Sequence, residues 1–200
     1  MQPDTTIQTD SILAQLKSQT ARRHQQTEDL VDIMREDFSL EDYKNLLKRF
    51  YAFYKSFEPK MFEAMRENPI DFDYENRQNT PKLFGDLESL GMSEREISAI
   101  QSFDALPNLD SRAKIFGALY VIEGSTLGGQ VISRHLKQKF GFDESNGSAF
   151  FSGYGKETGK MWTAFRDAIT TFSEGDINRE EITGAANETF DKIGKCLTIE

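Results

Sequence analysis

Histidine is scarce in this chain, with two among 200 residues, so the setting of each bears on any metal or acid–base chemistry. His24 falls in register with Leu13, Leu16, Thr20, Thr27 and Val31 at steps of three and four. That spacing gathers them on one helix face and points the imidazole inward. Glu28 follows at i+4, where a carboxylate can accept the Nδ1–H and leave Nε2 free to bind a metal. A core histidine satisfied by Glu28 is the plainer reading and stays open on these residues alone. Lys17, two turns earlier, could set a cation at the mouth of the same face.

A second unusual stretch runs from Phe116 to Leu136. It is apolar and helical in length, yet holds Gly124, Gly128 and Gly129. Each glycine inside a helix costs roughly 0.8–1.0 kcal/mol relative to alanine, so something must require them. Gly124 and Gly128, at i and i+4, strip one face of side chains and let a flat ligand approach the backbone. A close helix–helix crossing would use the same pattern. A phosphate-binding loop does not fit, because no Lys-Ser/Thr pair follows the glycines. His135 shares the Gly128 stripe and is a competing ligand, but Lys139 rather than a carboxylate stands at its i+4 position. Arg134, Lys137 and Lys139 read as a basic helix end, or as a docking patch for an acidic redox partner.

These residues need helices to hold them, and the chain supplies little else. Asp10 is a candidate cap for a helix to about Met34, and Ser39 with Asp42 opens one through Tyr43, Leu46, Phe50, Tyr54 and Phe57 toward Met65. Residues 67–80 carry loop chemistry. A short helix spans Pro81 to Leu90, closed by Gly91, and Ser93 with Glu96 forms a capping box for the next. The glycine-bearing helix spans about Asp110–Phe140 and ends at Gly141. A loop with Gly147, Gly153 and Gly155 precedes a helix over Glu157–Phe172, and Asn178 caps a last one over Arg179–Leu197. The expectation is a loose polar arm, residues 1–8, followed by one all-α domain, residues 9–200.

The 33 acidic against 24 basic residues give a net charge of −9, which argues against nucleic-acid binding and against a polybasic membrane surface. A single cysteine, Cys196, excludes an internal disulfide and a cysteine-cluster metal site. The first residues lack the basic start and apolar run of a secretory signal. No apolar stretch reads as approaching the ~20 residues needed to cross a bilayer. A soluble, cytoplasmic protein is expected. The 16 Phe, six Tyr and one Trp can fill a helical core or wall a pocket for a large flat ligand.

Together, the run Ala21-Arg22-Arg23-His24-Gln25-Gln26-Thr27-Glu28 and the run Tyr120-Val121-Ile122-Glu123-Gly124-Ser125-Thr126-Leu127-Gly128-Gly129-Gln130 resemble the heme oxygenase family. The similarity is greatest to the bacterial branch that supplies biliverdin to phytochromes. The resemblance implies an all-α fold with heme between a proximal and a distal helix. It implies His24 as axial ligand to the heme iron, with no other metal, and Glu28 holding its ring. Gly124, Gly128 and Gly129 become the distal-helix kink over the porphyrin. Lys17, Tyr120 and Arg166 match propionate-binding positions, and Phe190 a pocket-wall aromatic. A second family lysine is replaced here by Ala21, and a distal aspartate by Ser125. A serine can donate or accept in a water network but lacks the carboxylate's charge.

The activity so implied opens heme, both cofactor and substrate, to biliverdin, carbon monoxide and ferrous iron. It uses O2 and electrons from an external donor such as a ferredoxin or a flavin reductase, with a phytochrome-type acceptor for the product. Three alternatives stand beside it: a heme-binding or storage protein without turnover, a heme-free all-α enzyme on the same scaffold, and a helical interaction module. Heme titration separates the last two from the others.

Overall fold

The computed structural model describes residues 11–174 and 179–199. Eight α-helices make up the described fold: α1 Ile12–Val31, α2 Leu40–Glu67, α3 Thr80–Ser89, α4 Glu94–Ser98, α5 Arg112–Phe140, α6 Ala149–Ser152, α7 Thr158–Ser173 and α8 Arg179–Leu197. No strand occurs among the described residues.

Local chemistry sets most boundaries. Ser39 and Asp42 form a reciprocal capping box on α2, as do Ser93 and Glu96 on α4, each satisfying two otherwise free backbone N–H groups. Asp10 and Asn178, expected as caps, lie outside the described residues. The side chain of Ser11 accepts from the Ala14 N–H at the start of α1. That helix stops at Val31 rather than Met34, because Asp32 turns left-handed at φ 36° and sends its N–H back to the Glu28 carbonyl. Gly141, at φ 77°, ends α5 in the same conformation without strain.

Two stretches expected to be plain loop hold structure. Residues 67–80 include a 3-10 turn, Glu75–Arg77, and bury Tyr74, Arg77 and Asn79. The glycine-bearing segment before α7 includes α6 and a second 3-10 turn, Gly155–Glu157. Both depend on carboxylates far away in sequence. Asp86 of α3 accepts from the Ala149 and Phe150 N–H groups at the start of α6, at 2.7 and 2.9 Å. Glu58 of α2 does the same for Asn79 and Thr80 at the start of α3, where Asn79 makes no side-chain cap of its own.

The core gathers the aromatic face of α2, the apolar length of α5 and the inner faces of α7 and α8. Contrary to expectation, α5 is long and apolar enough to cross a membrane, but 56% of its most apolar window is buried within the molecule. It is a core helix. Both α1 and α5 pack on α8, while α1 and α5 scarcely touch each other. The crossing of α5 on α8 is tight at Gly117, where a Cβ would collide with the Ile182 carbonyl and lie 2.8 Å from Ala185 Cβ. Arg23 fixes α1 to α8 by donating to Asp191 at 2.7 Å and to Asn187 at 3.1 Å.

Candidate functional site

Because α1 and α5 lean on α8 without closing on each other, a gap is left between them. A cavity of about 490 Å³ occupies it, within the range typical of ligand sites. His24, Glu28 and Val31 line it from α1, and Gly124, Ser125, Gly128 and Gly129 from α5. Phe50 and Tyr54 of α2, Phe150 and Phe151 of α6, and Phe190 of α8 complete an aromatic floor.

His24 is not buried as its stripe predicts. Leu16 and Thr20 of that stripe sit in the core, but the His24 side chain is 55% exposed. The face leaves the core within one turn, at the point where the cavity begins. The ring meets Phe190 edge to face at 5.7 Å. Its Nε2, not Nδ1, faces Glu28 Oε1 at 3.8 Å, beyond hydrogen-bond reach. The expected Nδ1 restraint is therefore not made in this state, and the imidazole is not tied down by Glu28.

The glycines divide between two jobs. At Gly129 a Cβ would stand 2.6 Å from the Phe151 carbonyl, so this residue serves the close passage of α5 over α6. At Gly128 a Cβ would meet nothing within 4 Å, and at Gly124 only the Trp162 ring at 3.8 Å. Neither packing nor backbone geometry requires glycine at Gly128; the space it leaves belongs to the cavity. Helix α5 runs on as α-helix through all three positions.

Lys17, Tyr120 and Arg166 do not line the cavity. Tyr120 lies beside Thr20 and 6.1 Å from the Trp162 ring; Lys17 and Arg166 are exposed, one turn from Thr20 and Trp162 respectively. His135 is likewise away from the cavity lining. The basic end of α5 is partly engaged: Lys139 donates to the Arg35 and Glu36 carbonyls and Lys137 pairs with Asp143 at 3.7 Å.

Next to the α5 wall of the cavity lies a polar layer that the sequence did not reveal. Glu123, fully buried, accepts from Arg77 at 2.6 Å and from the Tyr154 hydroxyl at 2.9 Å. Burial pushes the Glu123 and Glu58 carboxyls up from their ordinary values and pushes the Lys82 amine down. Burial likewise raises Asp86 to about 6. No pattern of spacing marks these groups, because their partners stand tens of residues away. The run of aromatics in α2 does flag Tyr54, but not that Tyr54 reaches the cavity while its neighbour Phe53 faces the core.

The walls suit a flat, largely apolar tetrapyrrole: an imidazole without a hydrogen bond on one side, bare backbone on the other, aromatic edges between. The heme oxygenase family model matches residues 10–198. This chain belongs to the heme oxygenase family. A heme oxygenase of Xanthomonas campestris pv. campestris (strain 8004) is 28% identical over 163 residues, covering 79% of this chain and 90% of the relative. The solved heme oxygenase of Neisseria meningitidis, studied with NO and CO bound, superposes with a TM-score of 0.74 at 24% identity, over 94% of this chain and 90% of that one. The Leptospira interrogans heme oxygenase gives 0.74 at 16% identity, over 94% and 98%. These likenesses establish a heme oxygenase fold.

Proposed function

We infer that this chain is a heme oxygenase working as one domain over residues 9–200, with His24 as the axial ligand to the iron of its heme substrate. The observation that carries this reading is the cavity itself, with an untethered imidazole on α1 and backbone bared at Gly124 and Gly128 of α5 in a chain of this family. Heme, when bound, supplies the redox iron and is itself opened, to biliverdin, carbon monoxide and ferrous iron.

The rest of the work falls to the protein. A single imidazole, that of His24, would hold the iron on one face and leave the other free for O2. Gly124 and Gly128 put no side chain of their own on that free face, which gives O2 and water room beside backbone dipoles. Phe190 backs the imidazole by an edge contact at 5.7 Å. Glu28 lies 3.8 Å from the ring, close enough to accept from Nδ1 once the imidazole turns Nε2 toward the iron, so restraint of the ligand accompanies heme entry. Lys17, Tyr120 and Arg166 stand by Thr20 and Trp162, a position suited to carboxylate side arms of heme at the cavity's edge. Electrons come from a reductase, for which a ferredoxin or flavin reductase of the cytoplasm is suited, and a phytochrome-type protein is a fitting acceptor of the product.

Hemin titration followed by absorbance tests the reading. The protein should give a sharpened, shifted Soret band, and a reductase with its electron source should convert it to biliverdin. His24→Ala should lose that Soret band. Free-hemin spectra from the unaltered protein would refute the assignment, and turnover absent from a normal heme complex would favour the storage alternative.

A further inference from the structure

Helix α6 is four residues long, too short to stand by itself, yet its Phe150 and Phe151 line the cavity. One face of α3 grips it at both ends. Asp86 accepts from the Ala149 and Phe150 N–H groups at 2.7 and 2.9 Å, and Lys82 donates to the Gly153 carbonyl at 3.0 Å. A helix leaves free N–H groups at its start and free carbonyls at its end, and each end here meets the partner it lacks. Lys82 and Asp86 stand at i and i+4 on α3, about 6 Å apart along its axis, which equals the rise of one such turn in α6. Grip and helix are matched in length.

The grip is reinforced from other sides. Asp86 is 1% exposed, and the Lys82 amine also lies 4.6 Å from the centre of the Tyr154 ring, just beyond Gly153. Behind α6, α5 passes at Gly129 against the Phe151 carbonyl, and the Ser133 and Ser152 hydroxyls share a hydrogen bond at 3.0 Å. The Phe150 ring rests on Phe50 and Tyr54 at 4.9 and 5.5 Å, and the Phe151 ring on Phe50 at 6.0 Å. Any displacement of α6 therefore moves both cavity-lining rings. Trp162 reaches α5 at Gly124, whereas Phe151 reaches it at Gly129. Helix α6 thus stands about 7.5 Å along α5 from the edge suited to carboxylate side arms. The part of a tetrapyrrole that suits its rings is the apolar rim of methyl and vinyl groups.

We propose that Lys82 and Asp86 are positioning residues for the heme substrate: gripping α6 at both ends, they hold Phe150 and Phe151 as a fixed stop that sets how the tetrapyrrole is turned in the cavity, and so which of its bridging carbons is opened. This rests on the heme oxygenase reading above. Neither Lys82 nor Asp86 lines the cavity, so both act through α6. The pair makes no bond to the substrate and moves no proton or electron.

The test compares the unaltered protein with Asp86→Ala, Lys82→Met and the conservative Lys82→Arg, and uses Glu88→Gln, at an exposed position on α3, as control. Hydrogen exchange without heme comes first. Loss of the carboxylate should speed exchange of the Ala149 and Phe150 amides by about tenfold or more in Asp86→Ala. Proton NMR of the ferric heme complexes then reads the seating from the heme methyl resonances. In Asp86→Ala and Lys82→Met the proportions of the seatings should change by about twofold or more, with a matching change in the biliverdin isomers formed under a reductase system. Lys82→Arg, which keeps the donor, and Glu88→Gln should keep the original pattern. Unchanged exchange in Asp86→Ala would show that the carboxylate does not hold α6 and would overturn the proposal. Faster exchange with the same methyl resonances and the same isomers would reduce the grip to a structural role and overturn it equally. Should Asp86→Ala not fold, Lys82→Met decides by the same resonances. Free-hemin spectra from the unaltered protein would instead sink the functional assignment, and this proposal with it.

Discussion

Arg77 and Glu123 meet at 2.6 Å with both side chains removed from solvent, beside Gly124 in α5. The guanidinium also lies 4.3 Å over the Phe72 ring and donates to the Met161 carbonyl. One arginine thus joins the segment before α3, the glycine-bearing helix and α7. Desolvating two charges is expensive, and removing one partner leaves the other uncompensated. Arg77→Met should cost about 3–5 kcal/mol in urea denaturation, and the double variant Arg77→Met, Glu123→Leu should recover a large part of it. A loss below about 1 kcal/mol in the single variant would show that the pair does not brace the distal wall.

The two adjacent glycines should respond in opposite directions. Gly129→Ala drives a methyl into the Phe151 carbonyl and should destabilise by roughly 1–3 kcal/mol. Gly128→Ala meets open space and gains helix propensity, up to about 1 kcal/mol of added stability. Gly128→Leu should keep the fold yet block heme entry or turnover. Thermal melts paired with hemin titration check all three; normal biliverdin output from Gly128→Leu would contradict the open-face argument.

Asp86 makes stability depend on pH. Its folded carboxyl keeps its proton to about pH 6, because burial opposes ionisation, whereas the unfolded chain releases it near 3.8. Between those values the folded state holds more protons, so this group's contribution to stability falls as pH rises. Asp86→Asn stays neutral throughout and still accepts from one N–H of α6. The stability advantage of the unaltered protein over the variant should shrink by up to roughly 3 kcal/mol from pH 4 to pH 7. Parallel denaturation curves across that window would place the titration elsewhere.

His24 should separate binding from folding. Among the described residues its half-exposed side chain makes no hydrogen bond and one ring contact, so His24→Ala should change ligand-free stability by no more than about 0.5 kcal/mol. Phe190→Ala, by contrast, removes a ring that is 7% exposed and should cost about 3–5 kcal/mol. Urea titration of both, without heme, is sufficient. A large loss in His24→Ala would mean the histidine is a packing residue after all.

What the sequence made legible follows from the range of the interactions. The capping boxes at Ser39 and Ser93 and the left-handed stop at Gly141 are written in adjacent residues, and the helices begin and end there. The motifs and the family resemblance mark Gly124, Ser125, Gly128, Gly129, His24, Glu28 and Phe190, which all line one cavity, and also Lys17, Tyr120 and Arg166, which do not. Periodicity could place His24 on a face but not say where that face leaves the core. The glycine spacing could not divide Gly129 from Gly128, since the difference is set by Phe151. Helix α6 was missed because Asp86, more than sixty residues away, is what starts it.

The dependence of both cavity walls on α8 carries one more consequence. Since α1 and α5 each pack chiefly on α8 rather than on each other, the gap between them is gauged from behind, at places such as the Gly117 crossing and the Arg23–Asp191 tie. Bulk added at Ala185 would lift α5 away from its support and widen the slot, with no change to any residue that faces it. The thickness of the molecule this chain admits is thereby set by side chains that molecule never meets.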